Sequence, residues 1–237
     1  MFSLIIPVRD EDHDVIEELW REVQDMIHDG SIQEAFFIDD DSLSPSPLCY
    51  QYIIGPRGYG AALKRGVLLS TKPYCITMDG DGQHSLSDVK RLVDFVAYFP
   101  EVDMVVGDRR LRETSFFRFL GRKFLNICAS CFAGRWIPDL NSGLRVFRTK
   151  VALGYEPILA DGFSYTTSLT LSMMADGYAV DFLPVRVRSR AYGRSKVRLF
   201  RDGLYTLYLI FRNGIALRTR SLRRLIGLRH LRSRIHE

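Results

Sequence analysis

The chain has 237 residues, 46% hydrophobic and 26% charged, without low-complexity runs; this excludes a disordered or fibrous protein and allows one large domain with a substantial core. The net charge of +5 is unevenly placed: from Arg198 to Glu237 ten Arg stand against one Asp and one Glu, a net +8, so the preceding residues sum to −3. A basic end of this kind meets an anionic surface, membrane or nucleic acid, or is simply a solvated helical face.

Met1 leads almost directly into an apolar run, with no basic stretch and no cleavage pattern, so no secretory leader is expected. Short apolar runs then alternate with amphipathic segments, as in an α/β domain with a mainly parallel sheet flanked by helices. Strands are predicted at Ser3–Val8, Ala35–Asp39, Tyr50–Ile54, Tyr74–Met78 and Met104–Gly107, and helices at Val15–Ile27, Ala61–Leu69 and Val89–Tyr98. Ser85 followed by Asp88 marks the start of the third helix. The second half is less regular: Phe116–Phe132 reads as a helix, Leu144–Arg148 as a strand, Thr166–Ala175 as a helix and Tyr178–Arg188 as a strand. The domain is expected to cover 1–197, followed by a basic amphipathic helical tail over 198–237. The most apolar late stretch, Gly203–Phe211, is nine uncharged residues, short of the roughly 20 that a spanning helix needs.

The four cysteines are Cys49, Cys75, Cys128 and Cys131. Cys75 lies in an apolar run and reads as a buried thiol. Cys128 and Cys131 are three apart in a helical segment, share an apolar face and are expected to pack in the core. The set suits a reducing compartment.

The chemistry concentrates at predicted strand ends. In Met78-Asp79-Gly80-Asp81-Gly82-Gln83-His84 two carboxylates at i and i+2 point to one side of an extended chain, and Gly80 lets a diphosphate approach the backbone. A hard cation is held by one or two such carboxylates plus substrate phosphates. Asp39-Asp40-Asp41 follows the second strand and Pro7-Val8-Arg9-Asp10-Glu11 ends the first, so all three clusters fall on the carboxyl edge of the sheet, where open α/β sheets bind ligands. Gly58-Tyr59-Gly60 opens a helix, and its glycines either admit a phosphate or allow a tight turn. The first strand is followed by Pro7 rather than a glycine, which argues against a dinucleotide fingerprint.

These motifs, in this order, resemble family 2 glycosyltransferases, especially the dolichol- and polyprenyl-phosphate sugar synthases. The similarity covers about residues 3–200. It rests on Ile6-Pro7 to Glu11, Ile38-Asp39-Asp40, Gly58 to Leu63, Asp79 to His84, Val106 to Arg109, Asp139 to Arg145, and Arg190 to Lys196. The resemblance implies a GT-A fold and an inverting, metal-dependent transfer of a hexose from a UDP- or GDP-sugar to a polyprenyl phosphate. It implies that Pro7, Arg9, Glu11, Ile38 and Asp40 surround the nucleoside and that Asp79 and Gly80 meet the ribose and diphosphate. Asp81 and Gln83 would hold Mg²⁺ or Mn²⁺, while Arg109, Arg190 and Lys196 would face donor or acceptor phosphates. Asp139 falls near the acceptor, as an orienting or basic carboxylate or as a structural turn acid.

Arg9 stands where the family usually has an aromatic residue and Asp41 where it usually has glycine, which leaves the nucleobase open. Thr166 and Thr167 replace acids found in many members, and the membrane-spanning helices that often follow the domain in this family are not expected within the 237 residues. A lipid phosphate is already anionic and needs charge neutralisation rather than a base, which suits Arg122, Lys123, Arg190, Arg194 and Lys196. A hydroxyl on a glycolipid or glycan is the alternative acceptor, and a non-catalytic sugar-nucleotide-binding module the alternative class. The tail then reads as a peripheral contact with the cytoplasmic membrane face, made directly or through a membrane-protein partner. No nucleic-acid module accompanies its charge.

Overall fold

The computed structural model describes residues 1–40, 42, 52–109, 116–187 and 203–215. Its centre is a seven-stranded sheet in the order β3-β2-β1-β4-β6-β5-β7, made of β1 (Phe2–Val8), β2 (Glu34–Asp39), β3 (Tyr52–Ile54), β4 (Tyr74–Thr77), β5 (Met104–Asp108), β6 (Arg145–Arg148) and β7 (Val180–Pro184). All pairings are parallel except those of β6, which runs against both β4 and β5. The mainly parallel α/β architecture expected from the sequence is the one observed.

Strand β1 is buried along its whole length, as a central parallel strand covered on both faces must be. Alternation then decides which side chain enters which layer. Leu4, Ile6 and Val8 pack with Ile16, Leu19 and Val23 of α1 (His13–His28) and with Val89, Leu92 and Val96 of α3 (Leu86–Tyr98). Ile5 faces the other way, toward Leu63 and Val67 of α2 (Tyr59–Leu69), Val151 of α5 (Thr149–Tyr155) and Leu169 and Met173 of α6 (Tyr165–Asp176). Burying each such aliphatic side chain contributes about 1.5–3 kcal/mol.

The helices begin and end where their residues dictate. Asp12 caps α1 by accepting from Asp14 N at 2.9 Å, and Ser85 caps α3 by accepting from Ser87 N at 3.2 Å. Gly177 closes α6 in the left-handed conformation at φ 78°, and Tyr178 N bonds back to Met173 O at 3.0 Å. Helix α6 is buried almost throughout although Thr and Ser fill much of it, so it carries no amphipathic signal. Two short pieces were not foreseen: α5 and the 3₁₀ turn Glu156–Ile158.

A third cluster joins Ala129 of α4 (Phe116–Ala133), Ile137, Leu140, Leu171 and Ile210. Ile210 belongs to α7, a helix over residues 203–215. Phe211 meets Phe132 edge-on at 5.3 Å, and Thr206 Oγ1 lies 2.9 Å from Ser164 Oγ. The described part of the tail is therefore seated on the domain. Cys75 is buried as expected, and Cys128 is partly buried against the third cluster. The expectation for Cys131 fails: it is exposed, because α4 turns Leu125, Ala129 and Phe132 inward and position 131 lies on the opposite side.

Candidate active site

Strands β2, β1 and β4 are parallel neighbours, so the segments that leave them emerge on one edge. The antiparallel β6 begins where β4 ends, with Thr77 opposite Arg145, and so delivers the preceding segment Asp139–Leu144 to the same edge. Thr77 Oγ1 donates to Gly143 O at 2.7 Å and ties the two together.

The acidic motif occupies this junction. Asp79 is partly exposed; its Oδ1 accepts from Tyr59 OH at 2.7 Å and its Oδ2 stands 3.9 Å from Nε2 of the buried His84. A Cβ on Gly143 would lie 2.3 Å from Asp79 Oδ1, so only glycine lets that segment rest against the carboxylate. Gly80 is equally confined, since a Cβ there would approach Pro7 O to 3.0 Å. Asp81 and Gln83 are largely buried, and Asp81 Oδ1 accepts from Gln83 N at 3.1 Å. Beyond them His84 pairs with Val187, three residues ahead of Arg190. Arg190 and Lys196 themselves lie outside the described residues, as does Asp41.

The acids after β2 are not a solvated loop. Asp39 accepts from Tyr52 OH at 2.7 Å and from Ser42 N at 2.8 Å, while Asp40 accepts from Gly58 N and lies 4.0 Å from Arg9 Nη1. Arg9 and Glu11 remain partly exposed at the edge, Pro7 is buried within β1, and Ile38 is wholly buried in the α2 layer. Around Gly58-Tyr59-Gly60, for which the sequence offered phosphate entry or a tight turn, the structure shows a third use of the glycines, close packing: the segment 160–162 fills the space that they leave.

Two arginines are buried below the edge. Arg109 holds Asp139 with Nε to Oδ2 at 2.7 Å and Nη2 to Oδ1 at 3.0 Å. Burial alone pulls the Arg109 guanidinium down, but the adjacent Asp139 charge overrides this and raises it. Burial likewise opposes ionisation of Asp139, and Arg109 overrides it and holds the carboxyl below the usual range. Among the described residues no carboxylate forms an ion pair with Arg145; it donates to Ser142 O, Leu140 O, Thr166 O and Thr170 Oγ1 at 2.6–3.1 Å, and burial lowers it to about 10. These bonds fix the carbonyls of the segment that rests on Asp79. Thr167 adds a bond to Asn141 Oδ1 at 2.5 Å.

Motif order and edge geometry thus agree with the resemblance, and the comparison with known families decides it. The sequence model of glycosyl transferase family 2 matches residues 3–154, most of the chain. The chain belongs to that family. This family 2 chain is 28% identical over 216 residues to undecaprenyl-phosphate 4-deoxy-4-formamido-L-arabinose transferase of Pseudomonas aeruginosa, covering 85% of this chain and 61% of that one. It is 25% identical over 147 residues to polyprenol monophosphomannose synthase of Mycolicibacterium smegmatis, covering 59% and 53% respectively. The chain spans about three fifths or less of the length of these curated relatives. Glucosyl-3-phosphoglycerate synthase from Mycobacterium tuberculosis, solved with Mn²⁺ and uridine-diphosphate-glucose, superposes with a TM-score of 0.72 at 15% identity, over 90% of this chain and 79% of that one. At that identity the likeness establishes the GT-A fold alone.

Sequence reasoning passed over Tyr59, Thr77 and Arg145 as site components. Arginine is rarely buried without a carboxylate, and a tyrosine between glycines carries no pattern; only the glycines on either side of Tyr59 hinted at a confined position.

Proposed function

We propose that the chain transfers a hexose, with inversion, from a UDP- or GDP-sugar to a polyprenyl phosphate at the cytoplasmic membrane face. The observation that carries this is the junction of Asp79-Gly80-Asp81 with the Asp139–Leu144 segment at the carboxyl edge of a family 2 domain. The named relatives, an undecaprenyl-phosphate transferase and a polyprenol monophosphomannose synthase, support the choice of acceptor.

The donor set fits a divalent cation. Asp81 and Gln83 offer oxygen ligands side by side at one strand end, largely shielded from water. That is the arrangement for Mg²⁺ or Mn²⁺ held by few protein ligands and completed by substrate phosphates. When bound, the ion would neutralise charge on the departing nucleoside diphosphate. Arg9, Glu11 and Asp40 would line the nucleoside, with Pro7 and Ile38 supporting from beneath, and Asp79 with the Gly80 backbone would meet the ribose and diphosphate, the missing Gly80 side chain making room for Pro7 and Val8 of β1 rather than for the ligand. Arg190 and Lys196 would neutralise and align donor and acceptor phosphates.

A hydroxyl acceptor would need a general base. Both oxygens of Asp139 are engaged by Arg109, so a proton-accepting role there would have to break that pair; this favours a phosphate acceptor. Asp139 and Arg109 then act as an internal support for the acceptor segment.

For membrane contact, α4 exposes Phe119, Leu120, Phe124 and Ile127, and α7 exposes Leu204, Tyr208, Phe211 and Ile215. These faces adjoin through Phe132 and Phe211, and they lead into the Arg-rich stretch beyond residue 215, which suits an anionic lipid surface. No helix among the described residues is long and apolar enough to cross a membrane.

The test is a donor screen with purified protein, Mg²⁺ or Mn²⁺, and short-chain polyprenyl phosphate or the matching polyprenol, scoring nucleoside diphosphate release. Release that needs the lipid phosphate supports the proposal, and equal release with the polyprenol would replace it with hydroxyl transfer. Release of pyrophosphate would point to nucleotidyl transfer instead.

A further inference from the structure

Tyr59 is held by its surroundings more tightly than its place at the start of α2 requires. Gly58 has φ +120°, a region that side chains rarely adopt, and a Cβ on it would lie 2.6 Å from Asp161 O. A Cβ on Gly60 would lie 2.2 Å from Ala160 O. Ala61 N donates to Asp161 O at 3.0 Å, and Phe163 stacks on the Tyr59 ring at 5.2 Å and 22°. The ring is therefore clamped between the start of α2 and the segment 160–163, with its hydroxyl 2.7 Å from Asp79 Oδ1.

We propose that Tyr59 is a positioning residue for Asp79, its hydroxyl holding Oδ1 so that the carboxylate meets the nucleoside diphosphate in one orientation. Without that bond the Asp79 side chain has its rotamers limited on one side by Gly143 and approached on the other by His84 at 3.9 Å. A single donated hydrogen bond selects among the remaining orientations, and preorganisation of this kind acts on the bound complex rather than on the fold. The inference rests on the proposed donor site at Asp79.

The experiment compares Tyr59→Phe with Asp79→Asn. Tyr59→Phe removes one oxygen and keeps the ring stacked on Phe163, so its melting temperature should stay within about 3 °C of the parent. Calorimetric titration with UDP and with GDP, each with Mn²⁺, should show affinity about fivefold or more weaker, and donor kcat/KM should fall about tenfold or more. Asp79→Asn should lose more of both. If Asp79→Asn is impaired while Tyr59→Phe binds and turns over within twofold of the parent, the positioning role is overturned and the donor site stands. If both variants match the parent, the site at Asp79 is itself wrong. A fall of more than about 5 °C in melting temperature of Tyr59→Phe, with activity lost in proportion, would mark a merely structural hydroxyl and also overturn the proposal.

Discussion

Arg109 grips Asp139 through two hydrogen bonds while both side chains are almost wholly shielded from water, at 7% and 2% exposure. Removing one partner leaves a buried charge without compensation. Asp139→Asn should therefore destabilise the fold by about 3–5 kcal/mol, and Arg109→Met with Asp139→Leu should recover much of that loss. Because the folded carboxyl is depressed, the pair's contribution is present above the unfolded value of 3.8 and lost as pH falls through the lower folded value. Denaturant titrations at pH 7 and pH 3 should show the parent losing more stability on acidification than Asp139→Asn does. A variant as stable as the parent at pH 7 would contradict this reading.

The metal assignment makes a separate demand. Asp81→Asn should lose most metal-dependent turnover with the fold intact, since a neutral ligand weakens both cation affinity and leaving-group stabilisation. Near-normal turnover at low Mn²⁺ would show that Asp81 is not a ligand.

Arg190 and Lys196 are assigned to phosphate by the resemblance alone. Replacing either by Ala should cost on the order of 2–4 kcal/mol in transition-state stabilisation. Steady-state kinetics with polyprenyl phosphate measure it, and unchanged kcat/KM in both variants would remove the phosphate-binding role.

The membrane prediction follows from where α7 packs. Since Ile210 completes the third cluster, a truncated chain should keep α7 and end at Ile215, which removes the Arg-rich stretch and retains Ile210. Each basic residue near an anionic surface contributes about 1 kcal/mol and is screened by salt, whereas buried apolar residues add a salt-insensitive part. The full chain should sediment with anionic vesicles and be released only partly by high salt. The truncated chain should bind more weakly and lose most of its salt dependence. Equal sedimentation at every salt concentration, or tail binding to RNA in preference to vesicles, would refute the assignment.

Much of the fold could be read from the sequence because apolar runs such as Phe2–Val8 and Tyr74–Thr77 end abruptly in charged residues, and a buried parallel strand has no other way to look. The edge carrying Asp40, Asp79 and Asp81 was legible for the same reason. Helix α5 was missed because seven residues give too little periodicity. The partners of Arg109 and Arg145 were missed because 30 residues separate Arg109 from Asp139, and 25 separate Arg145 from Thr170. Cys131 was misread because spacing within a helix says which residues share a side, not how far around the helix the neighbours extend.

The reversed direction of β6 makes the sheet itself a length gauge for the site. Arg145 and Phe147 enter the α2–α6 layer while Val146 enters the other, so deleting one residue inside β6 would swap the two sides and thrust the guanidinium among the aliphatic side chains of α1 and α3. The same slip would carry Gly143 about 3.4 Å along the strand direction, away from Asp79. Thirteen hydrogen-bonded residues of β4, β5 and β6 thus keep two sequence motifs, more than fifty residues apart, in step at ångström tolerance.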